Sequence, residues 1–466
     1  MQPSEELAAE DLPVTNFRPP CAVVFSVVLL LPVPLWADTA ADLAALKAQI
    51  DALAKIVEAQ AARIDELESG QQTPDAPPAD AADTEVRSAA ARQPLGRFPD
   101  DAIVTAGDFD GSINIPGTEA SVRLGGFVRA EGNYDFDSLG FQDTVSVRRI
   151  PLDGTDDDDT SQSRFHVRNS RMNLDYRRKT KFGELRTFVE WDFFGGGSEF
   201  INNYEFRLRN AAAGIGNFYF GQWWSHFDDV STTPEGADFG GPLGVPVLRN
   251  PGVRWSQNVS DNWRVGLGVE NPTGDLDGPD ELLASDSVPD VSGFVRYSQP
   301  WGHVRLAGLV RRLESLDDEQ FVLGANFTGR VALPYADRRD NISFQFQAGE
   351  GFTHYYSTFS GVGLNGVVDT DGTIEATGIV GGFLAFQHWW DARWRSTLQA
   401  SFLELDSPAG SDTLAFDNGR YYSGNVFWTP IDGVTLGLDL IYAEQEVVSG
   451  AEGDGMRVHA IARFDF

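Results

Sequence analysis

The chain ends on MRVHAIARFDF, residues 456–466, and the reading of this stretch decides the fold. In an extended strand, Met456, Val458, Ala460, Ala462, Phe464 and Phe466 share one side, and Arg457, His459, Arg463 and Asp465 share the other. A soluble sandwich strand sets such an apolar side against a core. A transmembrane barrel strand sets it in lipid and turns the polar side to the lumen. One strand does not separate these readings.

Number and spacing do. Working back from the terminus, Val434-Leu436-Leu438-Leu440-Tyr442 alternates with Thr435, Gly437 and Asp439, and Leu398-Ala400-Phe402 with Arg395 and Gln399. Ile342-Phe344-Phe346-Ala348, Val304-Leu306-Gly308-Val310, Val265-Leu267-Val269 and Leu185-Thr187-Val189-Trp191 repeat the pattern. The first such segment sets Val122, Leu124, Val128 and Tyr134 against Arg123, Arg129, Glu131 and Asn133. Short turns (Lys181-Phe182-Gly183, Ser260-Asp261-Asn262, Pro430-Ile431-Asp432-Gly433) alternate with long acidic connections (135–163, 271–290, 349–372, 406–419). This is the up-and-down pattern of an outer-membrane barrel. It predicts an all-β, antiparallel transmembrane β-barrel of about sixteen strands. Aromatics near strand ends, among them Tyr134, Trp191, Trp223, Trp263, Trp394 and Trp428, are expected in the two interface girdles.

Composition agrees. The 466 residues include 48 Gly and 12% aromatics with only 3 Met, which favours short strands over helices. A net charge of −33 argues against nucleic acid as a partner. The six histidines are scattered without metal-ligand spacing, and no nucleophile elbow, phosphate loop or paired-His motif occurs. The expectation is therefore no enzyme activity, no metal and no cofactor.

The N-terminal part is organised differently. Cys21 to Trp36 is apolar and precedes Ala37-Asp38, so residues 1–37 read as a signal peptide with an atypical acidic N-terminal extension. Residues 38–68 read as a short coiled coil: Leu43, Ile50, Val57 and Ile64 occupy a positions, and Leu46, Leu53, Gln60 and Leu67 occupy d positions. These positions do not choose between two and three helices. Residues 69–106, rich in Ala, Pro, Asp and Gln, read as a flexible linker, and 107–466 as the barrel.

In a barrel, selectivity comes from the charges that line the lumen. Alternation turns Arg123, Arg129, Arg186, Arg264, Arg305, Arg311, Arg393, Arg395, Arg457 and Arg463 to the lumen side. Arg168 and Arg171 belong with them on a segment whose phase slips between Val167 and Met172, as a bulge would cause. The segment from Ser225 to Asn250, with Asp228, Asp229, Glu235 and Asp238, is the candidate constriction loop, and Arg249 and Arg254 at its end are expected to face its carboxylates. The competing structural reading is that the arginines pair with Asp175, Glu190 and Asp192 to stiffen the wall.

The stretch from Gly111 to Arg254 resembles the DcaP-like family of trimeric outer-membrane porins. The resemblance is carried by Pro116-Gly117-Thr118, Leu124-Gly125-Gly126-Phe127-Val128, Ser163-Arg164-Phe165, Gly183-Glu184-Leu185-Arg186-Thr187, Asp192-Phe193-Phe194-Gly195, Leu208-Arg209-Asn210-Ala211, Gly221-Gln222-Trp223-Trp224-Ser225 and Arg249-Asn250-Pro251. It implies a sixteen-stranded barrel, a homotrimer with an N-terminal coil in the periplasm of a Gram-negative cell, and diffusion of small organic anions such as dicarboxylates. It also favours three helices over two in the coil. The terminal Phe464 and Phe466 are then expected to meet outer-membrane lipid, including lipopolysaccharide, and the barrel-assembly machinery. Rival expectations are a porin of broad selectivity or for phosphate, and a barrel that mainly tethers the envelope through its coil.

Overall fold

A computed structural model describes residues 105–466 apart from 197–201, 285, 336 and 338. The signal peptide, the coil positions from Leu43 to Leu67 and nearly all of the linker lie outside the described residues. Alternation works out as sixteen barrel strands. They are β1 (Ala120–Asp135), β2 in two pieces (Gln162–His166 and Arg171–Thr180), β3 (Gly183–Asp192), β4 (Arg207–Ile215), β5 (Phe218–Trp224), β6 (Arg249–Asn258), β7 (Trp263–Glu270), β8 (Asp290–Gln299), β9 (Gly302–Glu314), β10 (Glu319–Ala332), β11 (Asn341–Glu350), β12 (Gly378–Trp389), β13 (Trp394–Asp406), β14 (Phe416–Ile431), β15 (Val434–Val447) and β16 (Glu452–Asp465). Each pairs antiparallel with its neighbour in sequence. Strand β16 returns to β1, with Arg463 opposite Arg129 and Val458 opposite Tyr134. The sheet is therefore closed and leaves no edge unpaired.

Strand β2 breaks at residues 167–170, where the sequence phase slips: both pieces pair with β1, one on each side of the break. Gly126 makes this junction close. A Cβ there would lie 2.2 Å from the Arg171 carbonyl, and its φ is +152°, so only glycine fits. Gly126 also exchanges backbone hydrogen bonds with Phe466 in both directions, at 3.2 and 3.1 Å. The last residue is thus stitched to the first strand.

The outer face is apolar. Leu124, Leu267, Leu306 and Leu398 are each about 60% exposed, and Phe464 and Phe466 49% and 58%. A continuous band of this kind is unfavourable in water and matches a hydrocarbon layer. Trp394 and Trp428 stack at 5.4 Å near the short-turn end, and Trp263 meets Tyr297 at 4.8 Å, as a girdle requires. Trp223 departs from that expectation. It packs on Phe188 and Tyr219 and lines the lumen.

The inner face also departs from the sequence reading. It is polar on the early strands, but Ala307, Leu309, Ile379, Leu403, Leu405, Tyr421, Ile441 and Ala443 of β9 and β12–β15 point inward and are buried. What buries them is loop: Leu139, Val145, Val147 and Ile150 of the first long connection, Phe227 and Leu243 of the third, and Phe352, Tyr355, Tyr356 and Phe359 of the sixth. Loops that fold into the barrel create an apolar core where alternation alone predicts water.

A buried ion pair closes the seam of the barrel. Arg457 and Asp135, both fully buried across the β16–β1 seam, meet at 2.5 and 2.8 Å. Asp135→Ala would leave a buried guanidinium without this carboxylate. It is expected to destabilise the barrel by about 3–5 kcal/mol. The shift in denaturant midpoint of the heat-modifiable folded band measures this, and an unchanged midpoint would count against the seam's contribution.

Candidate functional site

Residues 225–248, here called L3, do not leave the barrel. They run round the inside of its wall, and the wall holds them at each step. Ser225 donates to Glu270 at 3.0 Å, and Arg305 donates to the His226 carbonyl. Phe227 is wedged between Phe352 and Tyr355, while Asn326 caps its carbonyl at 3.0 Å. Asp229 accepts from Thr328 at 2.7 Å and meets His303 at 3.2 Å, and Gln345 bonds the Asp229 carbonyl and Thr232. Glu235 takes a two-pronged contact from Arg395, 2.6 Å on each side, and Asn425 donates to its carbonyl. The Ala237 N–H donates to Asp439 at 2.9 Å, and its carbonyl accepts from Arg129. Asp238 accepts from the Val145 N–H at 2.9 Å and lies 3.9 Å from Arg457.

Burial opposes ionisation of Asp229, but the contacts with His303, Arg305, Ser231 and Thr328 outweigh it and hold this carboxyl below the usual range. Asp228 is the reverse case. Full burial, with the Glu270 charge beside it, pushes its carboxyl well above that range.

L3 covers the wall of β9–β15 and meets the wall of β1–β6 mainly through the Ala237 carbonyl and Phe239. This second wall carries arginines. Arg129, Arg207, Arg209 and Arg249 line a cavity of about 280 Å³, closed on the other side by Asp238 and Phe239 of L3. Arg171 stands behind them, 3.8 Å from Glu190. Arg129 pairs with Glu131 at 3.1 Å, Arg209 with Glu190 and Asp192 at 2.8 Å each, and Arg207 with Asp192 at 2.6 Å. Four guanidiniums thus share three wall carboxylates, and the fifth, Arg249, forms no ion pair among the described residues. Aromatic faces back them: Arg249 lies 4.9 Å over Trp224, Arg207 5.0 Å over Phe194, and Arg209 5.5 Å over Phe239. Stacking fixes the guanidinium planes; the edges of Arg207 and Arg209 are taken up by Asp192 and Glu190, and that of Arg249 is left to meet a solute.

A model of the DcaP outer membrane protein family matches residues 108–466. The chain belongs to the DcaP outer membrane protein family. This DcaP-family barrel is similar to the crystal structure of the outer membrane channel DcaP of Acinetobacter baumannii. The TM-score is 0.66 at 21% identity, over 78% of this chain and 100% of that one. It is also similar to the anion-selective porin from Comamonas acidovorans, with TM-score 0.51 at 11% identity over 75% of this chain and 100% of that one. Among curated proteins, none matches. The protein is an outer-membrane channel.

The structure sorts the predicted arginines of this DcaP-family channel. Arg129 and Arg249 line the eyelet, Arg171 stands behind it beside Glu190, and Arg395 instead holds L3 in place. Arg168 sits in the break of β2, paired with Asp143 at 2.5 Å, so it faces a loop rather than the path. Arg123, Arg177 and Arg186 converge on Asp175 near the short-turn end, which is the wall-stiffening arrangement. Arg254 corrects the sequence expectation. It is buried, bonds the Asn250 carbonyl and approaches Glu270 at 3.6 Å, so a solute does not reach it. Arg393 is corrected too: it lies exposed in the turn before β13, because the strand begins one residue later. Arg311 is buried among Asp290 and the Gly351 and Thr273 carbonyls, under the loops. Arg463 pairs with Asp465 at the barrel rim. Arg264 donates to Ser256 at 2.7 Å, and Arg305 lies 4.4 Å over Phe294.

The L3 carboxylates also depart from the expectation that they face Arg249 and Arg254. Asp229 and Glu235 are engaged by the opposite wall, Asp228 is buried, and Asp238 alone borders the arginine cavity. Arg207 and Arg209 were missed as site residues. Their i, i+2 spacing was the available signal, but the register slip between Glu190 and Trp191 obscures the phase of this strand.

Proposed function

We propose that this channel passes small hydrophilic organic anions, dicarboxylates among them, by facilitated diffusion. The observation that carries the reading is the excess of arginine on one wall of the eyelet, with Arg249 in no ion pair among the described residues and stacked on Trp224. A positive, narrow, partly desolvated passage lowers the energy of an anion and raises that of a cation. The anion-selective porin of the same fold lends the reading support. Planar-bilayer recording in a salt gradient tests it. An anion-leaning reversal potential, with succinate interrupting the chloride current, is expected, and a cation-selective pore would overturn the reading.

Family membership supports three further proposals: residues 1–37 as a signal peptide, 38–68 as a periplasmic coil, and assembly as a homotrimer in outer-membrane lipid. Three-step conductance openings are the expected sign of the trimer. Phe464 and Phe466, exposed on the outer face, are proposed as the contact with the barrel-assembly machinery. Truncation after Arg463 is expected to cut the folded, heat-modifiable fraction in the outer membrane severalfold, and undiminished assembly would remove that role.

A further inference from the structure

A second set of arginines lies beyond the eyelet, toward the short-turn end of the barrel. Arg264 of β7 stands directly opposite Arg296 of β8, and Arg296 stands directly opposite Arg305 of β9. Register partners share a face, and here that face is the lumen: the same row positions further along carry the buried Glu270, Asp290, Ser292 and Ala307. Three guanidiniums therefore lie side by side across three adjacent strands, about 4.8 Å apart from strand to strand.

Like charges placed directly opposite one another repel. The eyelet offsets its repulsion with Glu131, Glu190 and Asp192. This row has less relief: none of the three forms an ion pair among the described residues, and the carboxyls of Asp228 and Asp229 lie near Arg305 alone of the three. Arg264 is bonded to Ser256 and Arg296 to Ser298 and Ser231, all neutral hydroxyls. Arg305 is buried, donates to the His226 carbonyl, and has one terminal nitrogen, Nη1, with no hydrogen-bond partner.

The row opens on space. A cavity of about 240 Å³ lies between Arg264, Arg296, Arg305 and the root of L3. A second, of about 330 Å³, continues past Arg264, Arg296 and Ser298 to the turn at Asp261. Two aspartates border the first cavity. Asp229 is engaged by His303 and Thr328, and Asp228 is buried beside Glu270. Asp261 sits at the outer rim of the second cavity. Trp224 and Val230 line both the first cavity and the eyelet, so the two spaces adjoin.

We infer that Arg264, Arg296 and Arg305 form a second anion station on the short-turn side of the eyelet, which receives small dicarboxylates. Two carboxylates joined by a short methylene chain reach across one strand spacing and engage neighbouring guanidiniums together. A monovalent anion engages one. Arg305, buried behind the other two, adds its charge to the station rather than a direct contact. The inference rests on the anion reading of the pore and adds a position and a valence preference to it.

The test uses the full-length protein in planar bilayers, with succinate on both sides as the probe and chloride as the current carrier. In the Arg264→Gln/Arg296→Gln double variant, the mean duration of succinate interruptions is expected to fall about tenfold, the sum of two modest charge contacts. Arg393→Gln, in an exposed turn, serves as the control and is expected to keep the wild-type durations. Should the double variant assemble poorly, Arg296→Lys keeps the charge but loses the planar fork, and is expected to shorten the interruptions severalfold. Unchanged durations in an anion-leaning channel would overturn the station alone. A cation-leaning wild-type pore would overturn the anion reading and the station with it. Interruptions of equal length from phosphate and succinate would overturn the dicarboxylate preference.

Discussion

Excising residues 230–246 of L3 and bridging the gap with two glycines is expected to raise single-channel conductance at least about twofold. The same variant is expected to bring the reversal potential close to neutral. L3 occupies the lumen rather than capping it: Glu235 is bound to Arg395, Thr232 to Gln345, Ala237 to Asp439 and Leu243 to Ser401. Removing the segment clears the side of the lumen facing the arginine wall. The wall charges would then be separated from part of the path by more than a Debye length, about 10 Å at 0.1 M salt, and their influence on passing ions would be screened. Glu235→Ala is the milder form of the experiment. It releases the two-pronged Arg395 tether and is expected to increase open-channel current noise with little change in mean conductance. A deletion variant that folds but conducts like the wild type would show that the constriction lies elsewhere.

Arg249→Glu is expected to have the largest effect on selectivity. It moves the eyelet by two charge units at an arginine that forms no ion pair among the described residues, next to a cavity that Arg129, Arg207 and Arg209 also line. At about 4 Å and the dielectric of water, each unit is worth about 1 kcal/mol to a passing monovalent ion. A shift of about 2 kcal/mol corresponds to a change of more than tenfold in relative permeability. The variant is expected to fold, because its carboxylate would stand beside the Arg207 and Arg209 guanidiniums. Reversal potential in a salt gradient is the measurement. A reversal potential that stays where the wild type places it would remove Arg249 from the selectivity filter. Arg254→Gln offers a contrast. Arg254 is buried against Glu270 and the Asn250 carbonyl, so its loss is expected to lower stability while ion preference moves little.

The different fates of these two arginines, five residues apart, mark the limit of the sequence reading. Alternation along a strand follows from covalent geometry: successive side chains point to opposite faces, so Leu124, Leu267 and Leu398 had to face lipid once Arg123, Arg264 and Arg395 faced inward. The closed all-β barrel, its strand number and the alternation of short turns and long connections were all legible this way. The phase slip between Val167 and Met172 was legible too, and the structure puts the break of β2 there.

What alternation does not contain is which inward group meets which. Arg395 became a clamp for L3, and Arg254 a wall contact, because of loops that arrive from more than a hundred residues away or from the next strand. The apolar inner face of β9 and β12–β15 is of the same kind. Leu309, Leu403 and Ile441 look misplaced in a polar lumen until Phe227, Tyr355 and Phe359 fold in to bury them. Even the terminal Phe466, read first as the end of an alternating strand, gains its backbone partners from Gly126 on the first strand, far away in sequence. The sequence by itself determined which side of each strand faces lipid, since that depends on local geometry and transfer energy alone. Only the tertiary structure decided which arginines stay free for a solute, since a charge is neutralised by whatever carboxylate the folded chain brings near it.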